Sequence, residues 1–287
     1  MSFIFNTVNR YARFFGKDTG PAGLIENRYL LCRLPGRGVI VDVGGGDGRL
    51  AREIAGPDRA VLVLDREETM LPGADNSIYQ GSLQRLLCQR GTLPITPILG
   101  DATEFPLAKG SVDAIVSSQL LEHLQSSARL RFFEECARCL KPGGVLAIST
   151  PNAEMFKVWR FRVSAAFRRL LPSRLCGSLP RSLRGPWLLQ SFEEWEQKVG
   201  HFGHGCPAEE LAAQARNAGL VERNRRSRDT GVTAFWLEMT GTFPLLAMLA
   251  APLVRVLYEI EWRLPAREGI NLLMTFQKPT NENGGNL

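Results

Sequence analysis

The run Val39-Ile-Val-Asp-Val-Gly-Gly-Gly-Asp-Gly48, leading into the stretch Arg49 to Ala55, decides how this chain is read. An apolar run, then glycines, then a helix-compatible segment predict a buried strand, a tight turn and a helix. The glycines fall at Gly44, Gly46 and Gly48, with Asp42 two residues before the first. Backbone without side chains lets a ligand come close, and a helix start offers N–H groups with no partner inside the helix. Such a turn suits a polar, nucleotide-like ligand lying across the carboxyl end of a parallel sheet.

Two spacings compete. Gly46-x-Gly48-x-x-Ala51 can be laid on the dinucleotide fingerprint, in which the turn cradles a pyrophosphate. The other is Asp42-x-Gly44-x-Gly46-x-Gly48. The segments that follow favour the second. Ala60-Val-Leu-Val-Leu64 reads as another buried strand with Asp65 at its end, where an acid can accept from both ribose hydroxyls. Then come Ile98-Leu-Gly-Asp101-Ala-Thr-Glu-Phe-Pro-Leu107, Gly110 to Leu124 with the pair Glu122-His123, and Leu140-Lys-Pro-Gly-Gly-Val-Leu-Ala-Ile-Ser149.

In this order, over about residues 36 to 152, these segments resemble the class I S-adenosylmethionine-dependent methyltransferases, in their small-molecule, type-11-like branch. The resemblance implies an α/β, Rossmann-like sheet of seven strands, mostly parallel with an antiparallel last strand, and helices on both faces. It implies S-adenosylmethionine as cofactor, held by Asp42, Gly44, Gly46, Gly48, Asp65, Asp101, Ala102 and Ser118. Asp65 would take the ribose and Asp101 the adenine amino group. Asp42 would orient the loop or reach the cofactor through water. Each acid also has a plain structural reading as a cap or turn residue, and Asp113, at a strand start, is read that way.

With 287 residues, 44% of them hydrophobic, the chain has material for one enlarged domain. The expected plan is an N-terminal helical cap over 1–35 and a methyltransferase domain over 36–278. That domain would carry insertions at about 153–200 and 230–265, with a disordered tail over 279–287. Residues 3 to 34 read as two helices around a break at Gly16 to Gly23. Helices are expected at Ala128 to Leu140, with a core stripe of Leu130, Phe133, Ala137 and Leu140, and at Ala208 to Ala218. Val221 to Ser227 and Ile270 to Gln277 read as the last two strands. The six cysteines include a Cys136-x-x-Cys139 pair inside the first of these helices. No second ligand pair has metal spacing, so small, half-buried thiols are expected and no metal. The N-terminal apolar runs are too short for a leader, and no stretch reaches the ~20 apolar residues that cross a bilayer. With free thiols, this leads to an expectation of a cytoplasmic protein, peripheral on the inner membrane face where the membrane reading below holds.

Two insertions bear on the acceptor. Between Met155 and Gly185 stand eight basic residues, Lys157, Arg160, Arg162, Arg168, Arg169, Arg174, Arg181 and Arg184, and no acidic one. The whole chain is only +6, so the charge is local. Phe156, Trp159, Val163, Phe167 and Leu170 recur at helical spacing beside these cations, the pattern of a helix lying on an anionic membrane. Phe243 to Val254 is twelve residues without a charge, followed by Tyr258 and Trp262. It reads as a core or cap helix, with a membrane patch or a homodimer interface as rivals. The stretches 156–184 and 243–262 are therefore the candidate anionic-membrane contacts. Nucleic acid is disfavoured: no separate RNA-binding module is found, and Ser117-Ser-Gln-Leu120 stands where enzymes methylating base amines carry Asn/Asp-Pro-Pro-Tyr/Phe.

For the chemistry, His123 is the leading candidate base, since an unperturbed imidazole pKa of ~6.5 suits proton removal near neutrality. Shaping the pocket is its alternative role. His201 is the second candidate; its segment resembles one found in small-molecule methyltransferases, with Gly205 where an aromatic residue is usual. Some quinone-precursor O-methyltransferases bind Mg²⁺ through a further glutamate three residues ahead of the Glu-His pair; here Gln119 stands there. The reading is methyl transfer to a small or lipid-linked acceptor, most simply at an oxygen of a saccharide or quinone-like compound. The rivals are an RNA methyltransferase, an NAD(P)-dependent oxidoreductase, and a non-catalytic membrane-surface adaptor that keeps the fold.

Overall fold

The computed structural model describes residues 21–46, 48–66, 94–153, 205–228 and 271–280, and single positions 253, 256, 259, 260, 262 and 263. In chain order the elements are α1 (Pro21–Leu31), β1 (Gly38–Val43), α2 (Arg49–Ile54), β2 (Arg59–Asp65), β3 (Ile95–Leu99) and β4 (Val112–Ser118). A 3₁₀ turn at Leu121–His123 precedes α3 (Ser126–Cys139), β5 (Leu140–Pro151), α4 (Ala208–Asn217), β6 (Val221–Arg228) and β7 (Asn271–Gln277).

The seven strands form one sheet in the order β3-β2-β1-β4-β5-β7-β6. Strands β1 to β5 pair in parallel, with Val43 opposite Leu64, Asp65 opposite Leu99 and Asp42 opposite Val116. Gly143 donates to the Lys278 carbonyl and Lys278 donates back to Gly144, the two-against-one exchange of a bulged antiparallel pair. The expected mixed, Rossmann-like sheet is thus present.

Burial follows position in the sheet. The central strands β1, β4 and β7 are buried along most of their length, as near-continuous apolar runs dictate. The edge strand β3 is only partly covered, and the edge strand β6 reads Val-Glu-Arg-Asn-Arg-Arg-Ser-Arg. Charges there, with Arg225 bonded to Glu222 at 2.8 Å and to Glu209, disfavour pairing with another chain.

The described residues fall into two compact units, one within Tyr29–Thr150, Gly200–Arg225 and Leu273–Leu287, the other within Met1–Arg28, Pro151–Val199 and Arg226–Leu272. In the first, Phe105, Phe132, Phe133 and Phe276 form a run of edge-to-face rings with centroids 6.2, 5.4 and 5.7 Å apart. Tyr29 adds a buried hydroxyl 3.0 Å from both Asn224 Oδ1 and Thr275 Oγ1. In the second, Asn152 donates to Ser227 Oγ at 3.0 Å, and Arg28 bonds Glu259 at 2.8 Å and lies over the Trp262 ring.

Several expectations shift. Helix α1 starts at Pro21, inside the proposed Gly16–Gly23 break, with proline at a first-turn position where its missing N–H costs nothing. The residues α3 buries are Arg129, Phe132, Phe133, Cys136 and Cys139, whereas Leu130 and Ala137 are half-buried. Cys136 and Cys139 are fully buried instead of half-buried, and burial pushes both thiols above their ordinary pKa. Leu140, the expected last residue of that helix, instead opens β5 together with Lys141 to Gly144. The proposed N-terminal helix before residue 21, most of the insertions 153–200 and 230–265, and the tail from 281 lie outside the described residues.

Candidate cofactor site at the carboxyl edge of the sheet

The chain order reverses between β1 and β4, since β2 and β3 lie on one side of β1 and β4 and β5 on the other. In open α/β sheets ligands bind outside the carboxyl ends of the strands at such a switch point. The strand registers bring the ends of β1, β2, β3 and β4 to one edge.

The glycine turn is held there by backbone. Gly44 N–H donates to the Leu64 carbonyl and Gly48 N–H to the Gly45 carbonyl, both at 2.8 Å. Gly44 and Gly46 have φ of +73° and +51°. A Cβ at Gly44 would lie 3.0 Å from Leu120, so the loop after β4 packs directly on this glycine. At Gly45 a Cβ would stand 2.7 Å from the Asp42 carboxylate. Asp42 is thus buried beneath the turn, the place of a residue that orients the loop. Among the described residues a Cβ at Gly46 would meet nothing within 4 Å, so none of them covers the turn on that side. The tip, Asp47, is not among the described residues.

Asp65 closes the next strand end. Its Oδ2 accepts from Gly46 N–H at 2.6 Å and its Oδ1 from Arg66 N–H at 2.7 Å. A carboxylate has about four lone-pair directions, so an acid at this strand end can accept from backbone and from ribose hydroxyls together. The Asp65 carbonyl accepts from Gly100 N–H at 3.1 Å, which brings the following segment alongside. There Asp101 Oδ1 accepts from the Thr103 N–H and hydroxyl, both at 2.7 Å, and Oδ2 lies 3.3 Å from Arg66 Nη1. Burial raises the Asp101 carboxyl, but these hydrogen bonds and the guanidinium outweigh it and hold the group below its ordinary pKa. It is therefore an anion at neutral pH, suited to accepting from an amino group. Ala102 beside it is buried. From behind, Glu135 accepts from Phe105 N–H at 2.6 Å, and Arg138 donates to the Leu107 and Phe105 carbonyls at 2.7 and 3.0 Å.

The fourth strand end carries Ser117, whose hydroxyl donates to the Val43 carbonyl at 3.0 Å, and half-buried Ser118, 3.3 Å from Ser149 Oγ. Gln119 has φ +54°, and its N–H donates to the Ser149 carbonyl at 3.0 Å, turning the chain out of the sheet. His123 is exposed in the 3₁₀ turn that follows, while Glu122 is buried. Glu122 accepts from the Thr150 hydroxyl at 3.0 Å, and that hydroxyl lies 3.5 Å from Cys206. Arg129 donates to Cys206 Sγ at 3.2 Å and to Glu210 at 3.0 Å. The turn bearing His123 is thereby anchored to α3 and α4 through Glu122. His201 lies outside the described residues.

Of the sequence-derived candidates, Asp42, Gly44, Gly46, Gly48, Asp65, Asp101, Ala102 and Ser118 come to one edge of the sheet, with His123 on the adjoining turn. Sequence reasoning passed over Ser117, Leu120 and the Glu122–Thr150 anchor. Glu122 had a signal, as an acid set among the leucines of the Leu120–Leu124 segment. Ser117 and Leu120 had none, because their partners are 74 and 76 positions away in sequence. Among the described residues no cluster of metal-ligating side chains is found. The glycine turn and the carboxyl groups of Asp65 and Asp101 fit S-adenosylmethionine, whose amino-acid part needs close backbone and whose ribose hydroxyls and adenine amino group need acceptors.

Comparison with known proteins agrees. Residues 41–148 match the methyltransferase domain family. A Mycolicibacterium smegmatis protein named a probable S-adenosylmethionine-dependent methyltransferase is 36% identical over 157 residues, covering 50% of this chain and 54% of the relative. The ubiquinone biosynthesis O-methyltransferase of Coxiella burnetii is 31% identical over 128 residues, covering 44% and 49%. The chain spans about half the length of these curated relatives. Among solved structures, phosphoethanolamine N-methyltransferase 2 of Haemonchus contortus with S-adenosyl-L-methionine aligns with a TM-score of 0.58 at 18% identity, covering 94% of this chain and 56% of that one. An S-adenosylmethionine-dependent methyltransferase of Mesorhizobium loti aligns at 0.54 and 18%, covering 90% and 100%. These two carry the fold. Residues 41–148 thus carry a methyltransferase domain on the fold of these structures.

Proposed function

We propose that this protein transfers the methyl group of S-adenosylmethionine to an oxygen of a small acceptor, quinone-like or saccharide, free or lipid-linked. The observation that carries the reading is the convergence of the glycine turn, Asp65 and Asp101 on one sheet edge, beside a turn presenting His123. Likeness to an O-methyltransferase of ubiquinone biosynthesis supports oxygen as the acceptor atom.

When bound, the cofactor supplies a methyl on a sulfonium, already activated toward in-line attack. The chain has to position and exclude water, and such alignment can supply ~7–11 kcal/mol of the barrier. Asp65 and Asp101 hold the nucleoside end, and the glycine turn lets the amino-acid end approach the backbone. His123 is the group that takes the acceptor's proton. Its exposure leaves it reachable by an incoming acceptor, and buried Glu122 fixes the turn on which it stands.

Single-turnover transfer to a phenolic or sugar acceptor, with labelled methyl, tests the assignment. His123→Ala should slow it by roughly a hundredfold or more and leave cofactor affinity unchanged. An unaltered rate would remove His123 as the base, and no labelled product from any oxygen acceptor would remove the acceptor class.

A further inference from the structure

Arg66 stands between the two acids of the candidate site. Its N–H donates to Asp65 Oδ1 at 2.7 Å, and its guanidinium Nη1 lies 3.3 Å from Asp101 Oδ2. The backbone makes this reach possible: Asp65 pairs with Leu99 across β2 and β3, and Gly100 N–H donates to the Asp65 carbonyl at 3.1 Å. One residue therefore joins the acid assigned to the ribose to the acid assigned to the adenine amino group.

Stability gives little reason for that ion pair. The Arg66 and Asp101 side chains are 54 and 40% exposed, and ion pairs so open to water hold a fold together only weakly. Asp101 is already fixed without it, since its Oδ1 accepts from both the Thr103 N–H and the Thr103 hydroxyl at 2.7 Å. Those two bonds use the lone pairs of Oδ1, so an amino group has Oδ2 to donate to. That oxygen is the one beside Arg66. The 3.3 Å contact is longer than the ~2.7–2.9 Å of a well-made charge-assisted hydrogen bond, so it sets the guanidinium next to Oδ2 without saturating that oxygen.

The pair presents an acceptor and a cationic donor side by side. Adenine carries the complementary pattern, an amino donor flanked by ring-nitrogen acceptors, and a side-chain amide reads that edge for the same reason. A guanidinium has its N–H groups in a planar fork, so one that faces a carboxylate can donate to a second acceptor as well. We infer that Arg66 is a specificity-determining residue of the cofactor site, donating to a ring nitrogen of adenine beside the amino group that Asp101 accepts. The role rests on the reading that Asp101 accepts the adenine amino group, and it adds the donor beside that acceptor.

The test is calorimetric binding, without methyl transfer, of S-adenosylhomocysteine and of its 1-deaza and 7-deaza analogues, each with CH in place of one ring nitrogen. Arg66→Ala changes an exposed side chain and should keep the native unfolding midpoint. It should bind S-adenosylhomocysteine roughly tenfold more weakly than the native protein does. One deaza analogue should show a similar loss on the native protein, and that analogue should lose nothing further on Arg66→Ala. If Arg66 only kept Asp101 charged, the variant would weaken all three compounds by the same factor, and that result would overturn the inference. So would native affinity for S-adenosylhomocysteine in Arg66→Ala. Asp101→Ala separates this role from the reading beneath it. A comparable loss in Asp101→Ala sustains the adenine assignment whatever Arg66 does. Native affinity in a folded Asp101→Ala would overturn that assignment and the Arg66 role with it.

Discussion

At the amino end of β1, Gly38 has φ +117° and stands against Asp113; past its carboxyl end, Gly46 has φ +51° and stands beside Asp65. Both acids accept from backbone N–H groups, Asp113 from Val39 at 2.8 Å and Asp65 from Gly46 and Arg66. Hydrogen bonding therefore does not separate an aspartate read as structural from one proposed to bind the cofactor. Space does. A Cβ on Gly38 would lie 2.4 Å from Asp113 Oδ2, whereas one on Gly46 meets no described residue within 4 Å. The amino end is filled by the protein, with Lys141 completing the Asp113 cluster at 2.8 Å, whereas no described residue fills the space beside Gly46.

The sharpest contrast comes from placing alanine at the two glycines. Gly38→Ala forces a side chain into both an unfavourable φ and the Asp113 carboxylate, and should cost about 3 kcal/mol of stability. Gly46→Ala faces only the strain of its φ, about 1 kcal/mol, and should act mainly on cofactor affinity. Urea unfolding with parallel titrations of the folded variants reads both, and equal stability losses would erase the distinction.

Next in size is Asp65→Ala. Losing charge-assisted bonds to the ribose should cost about 2 kcal/mol, roughly thirtyfold in cofactor affinity. Unchanged affinity in a folded variant would take the ribose contact away from Asp65.

The smallest effect is at Asp113. Burial raises its carboxyl, but the Lys141 ammonium and the Val39 N–H outweigh burial and hold it below its ordinary pKa. A depressed folded pKa contributes stability above the unfolded value of ~3.9, and this is lost as pH falls through the lower folded value. Asp113→Asn should cost about 1 kcal/mol at neutral pH, the pair being partly exposed, and the gap from the native protein should close below about pH 4. Cofactor affinity should not change. A gap that widened in acid would reverse the assigned sign.

How far the sequence carried depends on whether partners are local. The strands β1, β2 and β4 are apolar runs bounded by glycine or acid, so the fold class was readable, and the candidate cofactor residues fall at their ends. The core face of α3 was centred one residue late because Arg129 was not counted as inward. It enters the core since Cys206 and Glu210 accept its N–H groups, and both lie more than seventy positions away. Cys136 and Cys139 behave as small hydrophobes on that face. The start of β5 was hidden for the same kind of reason: Lys-Pro-Gly-Gly looks like a turn until Lys278 pairs with Gly143 and Gly144. In the candidate site, Gly44 was legible as a glycine the turn needs, but its second constraint, the Leu120 side chain, was not.

The most direct test of the central claim is a calorimetric titration of the purified protein with S-adenosylmethionine, S-adenosylhomocysteine and NAD(P)H. A glycine turn bounded by Asp65 and Asp101 predicts micromolar-range binding of the first two and none of the nicotinamide. Nicotinamide binding, with neither adenosyl compound bound, would contradict it.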